Sequence, residues 1–314
     1  MSREVESVVY EPSRRAELVE LMATVWGDPQ AGEHVEWWFD ECPVAPGVIR
    51  LAEVEGKLAG TLGMSYVPML IGGERQVVAM PVRGVSLAEF RGLGIFSKLE
   101  LENEEDSRRR GARLALTIPN PRSHSIFLRL DWREIRRQRV WVRPLRLRAA
   151  TARPPRPGPR RIGRVTVEPV ERFGPDTEEA WRRAAPLYGD QVVGDSAYLN
   201  WRYVDAPHDY RSFQAEDGYA VVRRMRERGI ETGMICTLVA ASARTTRALL
   251  ARCAEEMRGA QMLAALRPPV YTAAWLAAGF VPTPRTMTTL GKPLEPGEPL
   301  PANPVYQFGD HDFV

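Results

Sequence analysis

The chain has 314 residues, with 43 Lys and Arg against 40 Asp and Glu, a net charge of +3, 44% hydrophobic residues and a mean hydropathy of −0.31. That length allows one large domain or two ordinary ones, and the near-average charge and apolar content exclude wholesale disorder. Three scattered cysteines, Cys42, Cys236 and Cys253, show no Cys-x-x-Cys or Cys/His ligand spacing, so neither a disulfide framework nor a structural zinc site is expected.

In chain order, Ser13–Trp26 reads as an amphipathic helix with Leu18, Leu21, Met22 and Val25 on one face. Leu51–Val54 and Leu58–Val67 read as strands around Glu55-Gly56-Lys57, and Gly72-Gly73-Glu74 turns into a third strand, Gln76–Leu87. A helix from about Phe96 to Arg110, a strand at Leu114–Ile118 and a helix at Ser123–Leu130 follow. The second half repeats this order with helix Thr177–Tyr188, strands Tyr219–Arg224 and Gly233–Ala240, helix Ala243–Arg258, strand Met262–Leu266 and helix Thr272–Ala278. The first residues carry early acids and no apolar core, and no apolar run reaches 18 residues, so a cytoplasmic protein outside the membrane is expected.

Between the halves, Ile135 to Val167 contains no acid, many arginines, and Pro154, Pro155, Pro157 and Pro159. Proline fixes φ and removes a donor, so the stretch is expected to be extended and not central in a sheet. The composition therefore predicts domains at 1–142 and 166–292, an Arg/Pro-rich linker at 143–165 and a Pro-rich tail at 293–314. Two local matches suggest duplication: Trp37-Trp38-Phe39 before Pro43 against Trp201-Arg202-Tyr203 before Pro207, and Leu130-Asp131-Trp132 against Ala278-Gly279-Phe280. These aromatic residues read chiefly as core, with an acceptor pocket as the alternative. His34 and His208, beside the two Trp segments, read as helix-end or surface groups.

The segment that carries chemistry is Val82–Leu99. A β-rich run ends, Gly92 and Gly94 come two apart, and a helix begins. Glycine admits the dihedrals of a tight turn and close approach of a ligand to the backbone, and the free N–H groups of a helix start make an anion site suited to a pyrophosphate. Arg91 can add a charge-assisted hydrogen bond. The segment is neither a P-loop nor a dinucleotide fingerprint, for it lacks Gly-Lys-Ser/Thr and a third glycine.

Phe90-Arg91-Gly92-Leu93-Gly94-Ile95-Phe96 resembles motif A of the GNAT (Gcn5-related) acyltransferases, Gln/Arg-x-x-Gly-x-Gly/Ala. Asn120, Phe127 and Asp131 fall where that family has Asn-x-x-Ala-x-x-x-Tyr-x-x-x-Gly-Phe. The resemblance implies an α/β (α+β) fold of two tandem units, each a mixed, mostly antiparallel splayed sheet flanked by helices. It implies acetyl-CoA or another acyl-CoA as co-substrate, with no metal. The pyrophosphate would rest on the backbone of Gly92, Leu93, Gly94, Ile95 and Phe96, the pantetheine would pair with Val85 and Leu87, and Asn120 and Ser123 would lie near the thiol. The thioester oxygen would find its N–H donor near Val85. A small-molecule amine would attack the thioester directly.

Departures from the family matter as much. Phe127 stands where the usual general acid is a tyrosine, and Phe cannot donate a proton. His124 is the candidate replacement. Asp310, His311 and Asp312 of the C-terminal tail are candidates for a base, since flanking carboxylates raise an imidazole pKa; a solvated terminus is the plainer reading. In the second half, Ala240–Thr246 has no glycine where motif A would fall, so that unit is expected to bind no CoA. The rival readings are a Fem-like aminoacyl-tRNA-dependent enzyme, a carrier-protein-dependent acyl transferase or GNAT-like decarboxylase, and a non-catalytic acyl-CoA sensor. Nucleic acid is not an expected partner, although the arginine run leaves tRNA open, and either a monomer or a homodimer is compatible.

Overall fold

The structure, a computed structural model, describes residues 4–27, 30–145, 158–227 and 229–311. The chain divides into two compact units. The first comprises Met1–Met69, Arg75–Arg136 and Thr288–Ala302; the second comprises Leu70–Glu74, Arg137–Met287 and Asn303–Val314.

The first half contains β1 (Glu6–Val9), α1 (Arg15–Trp26), α2 (Ala31–Val35), β2 (Val48–Val54), β3 (Lys57–Ile71), β4 (Glu74–Ser86), α3 (Ile95–Arg109), β5 (Leu114–Thr117), α4 (Pro121–Arg129) and β6 (Arg133–Pro144). The second contains β7 (Arg160–Ile162), β8 (Val165–Val170), α5 (Pro175–Tyr188), β9 (Gln191–Val192), α6 (Ser196–Leu199), β10 (Tyr210–Ala215), β11 (Gly218–Glu227), β12 (Ile230–Ala240), α7 (Ala243–Glu256), β13 (Met262–Leu266), α8 (Thr272–Ala277) and β14 (Val281–Pro293). The helices and strands expected from periodicity are all present, with ends moved by a few residues.

In the first unit the strand order is β1-β2-β3-β4-β5, and β5 is followed by the end of β14. β4 and β5 run parallel but pair only at Val78 with Leu114 and Ala79 with Ala115, while β4 continues to Ser86. The two strands therefore part and leave one edge of β4 open beyond Ala79. β5 is flanked by antiparallel β14, with Lys292 opposite Ala115. The core beneath the sheet is built from Ala52, Leu62, Phe90, Ile95 and Leu99 on one side and from Met64, Tyr66, Phe127, Trp132 and Leu290 on the other.

The second unit has the order β6-β13-β12-β11-β10-β8-β7. Its parallel pair is β12 and β13, joined from Thr232–Ile235 to Met262–Ala265, after which β12 runs on to Ala240. Antiparallel β6 flanks β13, with Val140 opposite Leu266. Each unit's parallel pair is thus completed by a strand from the other half of the sequence. This corrects the boundary read from composition, because the first unit ends at Arg136 and takes back Thr288–Ala302. The arginine run was also misread in part. Arg137 and Arg139 are exposed and alternate with buried Gln138 and Val140, so Arg133–Pro144 is a paired strand whose polar face is arginine. Arg160–Ile162 pairs with Val165–Val167 as an edge hairpin, and residues 146–157, with Pro154, Pro155 and Pro157, lie outside the described residues.

The local matches between the halves reappear as matched geometry. Glu36–Asp40 and Asn200–Val204 each form one π-turn, closed by Glu41 N–H to Glu36 O at 3.2 Å and Asp205 N–H to Asn200 O at 2.9 Å. Asp131 and Gly279 both adopt left-handed φ, 64° and 85°, just past α4 and α8. Trp132 N–H then bonds Phe127 O and Phe280 N–H bonds Trp275 O, the six-to-one bond of a Schellman ending. Phe127 meets Trp132 at 4.7 Å and Trp275 meets Phe280 at 5.0 Å, both edge-on.

Candidate functional site

The glycine loop lies where β4 leaves β5. Phe90 and Ile95 are buried and Leu93 packs on the same cluster, so alternate loop residues anchor it while Arg91, Gly92 and Gly94 face outward. Gly92 and Gly94 have φ of 87° and 77°, and a Cβ at either would meet nothing within 4 Å. Their need for glycine is therefore conformational, and the space beside them is open. Gly94 is the N-cap of α3 and contributes no capping side chain. The first-turn amides of Ile95, Phe96 and Ser97 have no intrahelical acceptor, and the helix dipole adds to their pull on an anion. The Arg91 guanidinium has no partner among the described residues.

The strand before the loop carries a signal that the sequence reading missed. Arg83 has φ of 54° inside β4, a single left-handed residue of the kind found at bulges beside active sites, which re-aim the residues that follow. Val85 is buried near the end of β4 on the stretch that is free of β5. Leu87 is otherwise engaged than expected. Its N–H bonds Ala59 O at 2.9 Å and its carbonyl accepts Phe90 N–H at 3.1 Å, so it ties the loop to β3 and has no backbone N–H left for a ligand.

At the end of β5, Asn120 caps α4: its side chain accepts from Arg122 N–H at 2.8 Å and Ser123 N–H at 3.1 Å, and Ser123 donates back to Asn120 O at 3.3 Å. His124, on the first turn, sets its Nε2 3.0 Å from Glu134 Oε1, both side chains about 30% exposed. Glu134 was not singled out from sequence, because it sits ten residues away at the start of another strand. Phe127, one turn further, is buried edge-on against Phe96 at 5.2 Å. Gly84 makes room for that ring, for its Cβ would lie 2.9 Å from Phe96. The two departures from the family pattern, Phe96 and Phe127, thus fill one space together.

Behind this layer, Glu100 of α3 is wholly buried and neither of its oxygens has a hydrogen bond. Burial, with Glu104 beside it, holds its carboxyl well above the usual range against the pull of Lys292. Glu104 itself accepts from Trp132 at 2.8 Å and Lys292 at 2.5 Å.

In the second unit the corresponding positions are occupied by the protein itself. Ser242 caps α7 by accepting from Thr245 N–H at 3.2 Å. Ala240 N–H bonds the Tyr188 hydroxyl at 2.9 Å and Ala241 N–H bonds Asp217 O at 2.8 Å. The β12 edge is met by the C-terminal segment: Gln307 accepts Leu238 N–H at 2.8 Å and donates to the Thr237 hydroxyl at 3.1 Å. Arg202, fully buried on the second π-turn, donates to Gly309 O at 2.8 Å, His311 O at 2.7 Å and the Tyr210 hydroxyl at 2.8 Å.

These contacts correct the reading of the tail. Asp310 and His311 are buried rather than solvated, and they belong to the second unit, whereas the glycine loop belongs to the first. Asp310 accepts Gln307 N–H at 2.6 Å, and burial pushes its carboxyl up to about 7. Burial and the Arg202 charge push His311 down to about 3, the reverse of the expected rise, so its ring stays neutral beside Tyr306. Asp312 lies outside the described residues. His34 is buried next to Trp37 rather than at the surface. Among the described residues no cluster of three or more His, Cys, Asp or Glu could hold a metal ion, and no helix is long and apolar enough to cross a membrane.

A sheet that opens between two parallel strands, with an uncapped helix start and a glycine loop at the opening, defines the class of GNAT-type acyltransferases. Residues 10–135 match the family model described as an acetyltransferase (GNAT) domain, so the first unit carries a GNAT acyltransferase domain. The GCN5-related N-acetyltransferase of Anabaena variabilis is similar over 93% of this chain and 73% of its own, with a TM-score of 0.65 and 14% identity. That of Kribbella flavida is similar over 93% and 71%, with a TM-score of 0.63 and 16% identity. At such identities the likeness speaks for the fold, and it extends over both units. No curated protein matches the sequence.

Proposed function

We propose that the protein is an acyl-CoA-dependent N-acyltransferase, most simply using acetyl-CoA, with one acyl-CoA site in the first unit and a small-molecule amine as acceptor. The observation that carries this reading is the contrast between two helix starts. Beside the parting strands, α3 begins on a left-handed glycine with free amides and an unpartnered arginine, whereas α7 begins on a serine cap with its neighbouring amides bonded internally. The first arrangement suits a pyrophosphate; the second already spends several of its amides on the protein itself. The second unit reads as a repeat of the first that has lost its ligand site, and the intact cradle favours CoA over aminoacyl-tRNA.

In this reaction the amine nitrogen forms a bond to the thioester carbon, the carbon–sulfur bond breaks, and the leaving sulfur takes a proton. The amine releases its own proton to water. With Phe127 unable to donate, His124 supplies the proton to sulfur and recovers one from solvent, and Glu134 orients its ring. Asp310 and His311, held within the second unit, take no part in this step.

Calorimetric titration with acetyl-CoA tests the site. One saturable site per chain is expected, and Gly94→Val should weaken binding at least tenfold because φ of +77° disfavours a branched residue and its side chain would take up space left for the ligand. Equal binding by a folded Gly94→Val variant would refute the cradle. His124→Gln should lower kcat on an amine panel while leaving acyl-CoA affinity within twofold; unchanged kcat would remove His124 from the chemistry.

A further inference from the structure

The second unit contains a small cavity of about 20 Å³ that the acyl-transfer reading does not use. It lies against β12 at the place where that strand outruns β13, and its wall includes Tyr198, Tyr203, Tyr219, Thr237, Gln307 and Asp310. The two halves of the wall come from distant sequence: the tyrosines from α6, the second π-turn and β11, and the acid from the C-terminal segment.

Three polar atoms there are left over. Asp310 uses Oδ2 to hold Gln307 N–H, and its Oδ1 has no partner among the described residues. The hydroxyls of Tyr203 and Tyr219 have none either, although both side chains are at least nine-tenths buried. Each hydroxyl stands against a glycine, Gly309 for Tyr203 and Gly194 for Tyr219, at a spacing that no Cβ would permit, since one would lie 2.1 Å from the oxygen. The three atoms can be reached from the cavity, and an occupant that displaced water without bonding them would be costly, so the arrangement favours a polar one.

The charge of the wall narrows its chemistry. Among the described residues Asp310 is the wall's only acid, and no lysine, arginine or histidine lines it. Arg202 lies behind, its donors directed at Gly309 O, His311 O and Tyr210. A carboxylate with two phenol oxygens presents acceptors, and the tyrosine faces suit a cation. An anion would meet the acid, and an apolar group would leave all three atoms unsatisfied.

We infer that this cavity is a binding site for a small primary ammonium group, held by Asp310, Tyr203 and Tyr219. The site rests on none of the residues assigned to acyl-CoA. Affinity should rise with pH as Asp310 ionises around 7. The other groups that face this carboxyl are Arg202, the Cys236 thiol and the hydroxyls of Tyr203, Tyr219 and Tyr306, and these do not change charge in that range.

The test is titration of the whole protein with methylammonium chloride at pH 8, read by calorimetry and by the shift in Tm, in the absence of acyl-CoA. Tetramethylammonium (same charge, no N–H) and acetate are the comparison probes. Saturable binding of methylammonium alone is expected, weakened at least tenfold by Tyr219→Phe and by Asp310→Asn and weaker again at pH 6. Tyr219→Phe keeps the ring and serves if Asp310→Asn fails to fold. No saturable binding, equal binding of tetramethylammonium, or full affinity in folded Tyr219→Phe would overturn the assignment. Acetyl-CoA titration of the same variants keeps the two sites distinguishable, because loss of one signal leaves the other intact.

Discussion

Trp38 and Arg202 hold the same position in two copies of one turn, and the difference between them decides what each turn does. Trp38 is buried and packs edge-on with Trp37 at 4.9 Å. Arg202 is as deeply buried but brings a charge that must be met, and the carbonyls of Gly309 and His311 meet it. The sequence displayed the alignment of these positions but not the burial of the arginine, because a charged residue in a turn reads as solvated. Glu100 escaped notice for the same reason. Its carboxyl takes its proton more readily when folded than at the ordinary 4.5, so the folded state holds the extra proton. Stability is therefore fullest below about pH 4.5 and falls as pH rises from there towards the folded-state value. Glu100→Leu should remove that slope and raise stability at neutral pH by about 1–3 kcal/mol, the cost of an unpaired buried polar group. Urea unfolding at pH 5 and 7.5 measures both; an unchanged slope would show that Glu100 is charged when folded.

Elements were the most legible level. Helices with a clear 3.6 period, such as α1, α3 and α7, and the turn-bounded strands β2, β3 and β4 all stand where periodicity put them. β1, β6, β8, β10 and β14 were missed or misread because their exposed faces carry charges or prolines, and pairing rather than composition makes them strands. The glycine loop was legible because two positive φ values leave few alternatives to glycine. The left-handed Arg83 was not, since arginine carries no such mark. The matched endings of α4 and α8 make their own test. Gly279 takes the left-handed position without strain, whereas Asp131 bears a Cβ there. Asp131→Gly should stabilise the first unit by about 1 kcal/mol, seen as a rise in Tm; a fall would mean that the Asp131 side chain offsets the backbone strain.

At the scale of the whole molecule, a likeness between the halves was visible in two short sequence matches, but the exchange of strands between them was not, because it depends on pairings across more than a hundred residues. The C-terminal segment was misjudged as a tail for the same reason. Ending the chain after Ala302 would remove both carbonyls from Arg202 and the Gln307 amide from β12. A buried cation stripped of its partners costs about 3–5 kcal/mol, so the shortened protein should lose that much in denaturant unfolding; unaltered stability would show that Arg202 finds other partners. The exchanged strands also bear on what may be discarded. The second half has no cradle of its own, yet it carries β14, whose Lys292 answers Glu104 and whose backbone covers β5. Excising it at the proline-rich stretch would not liberate a smaller enzyme. It would leave the first unit with a raw edge and an orphaned acid, so the second half is kept by what it lends as well as by anything it binds.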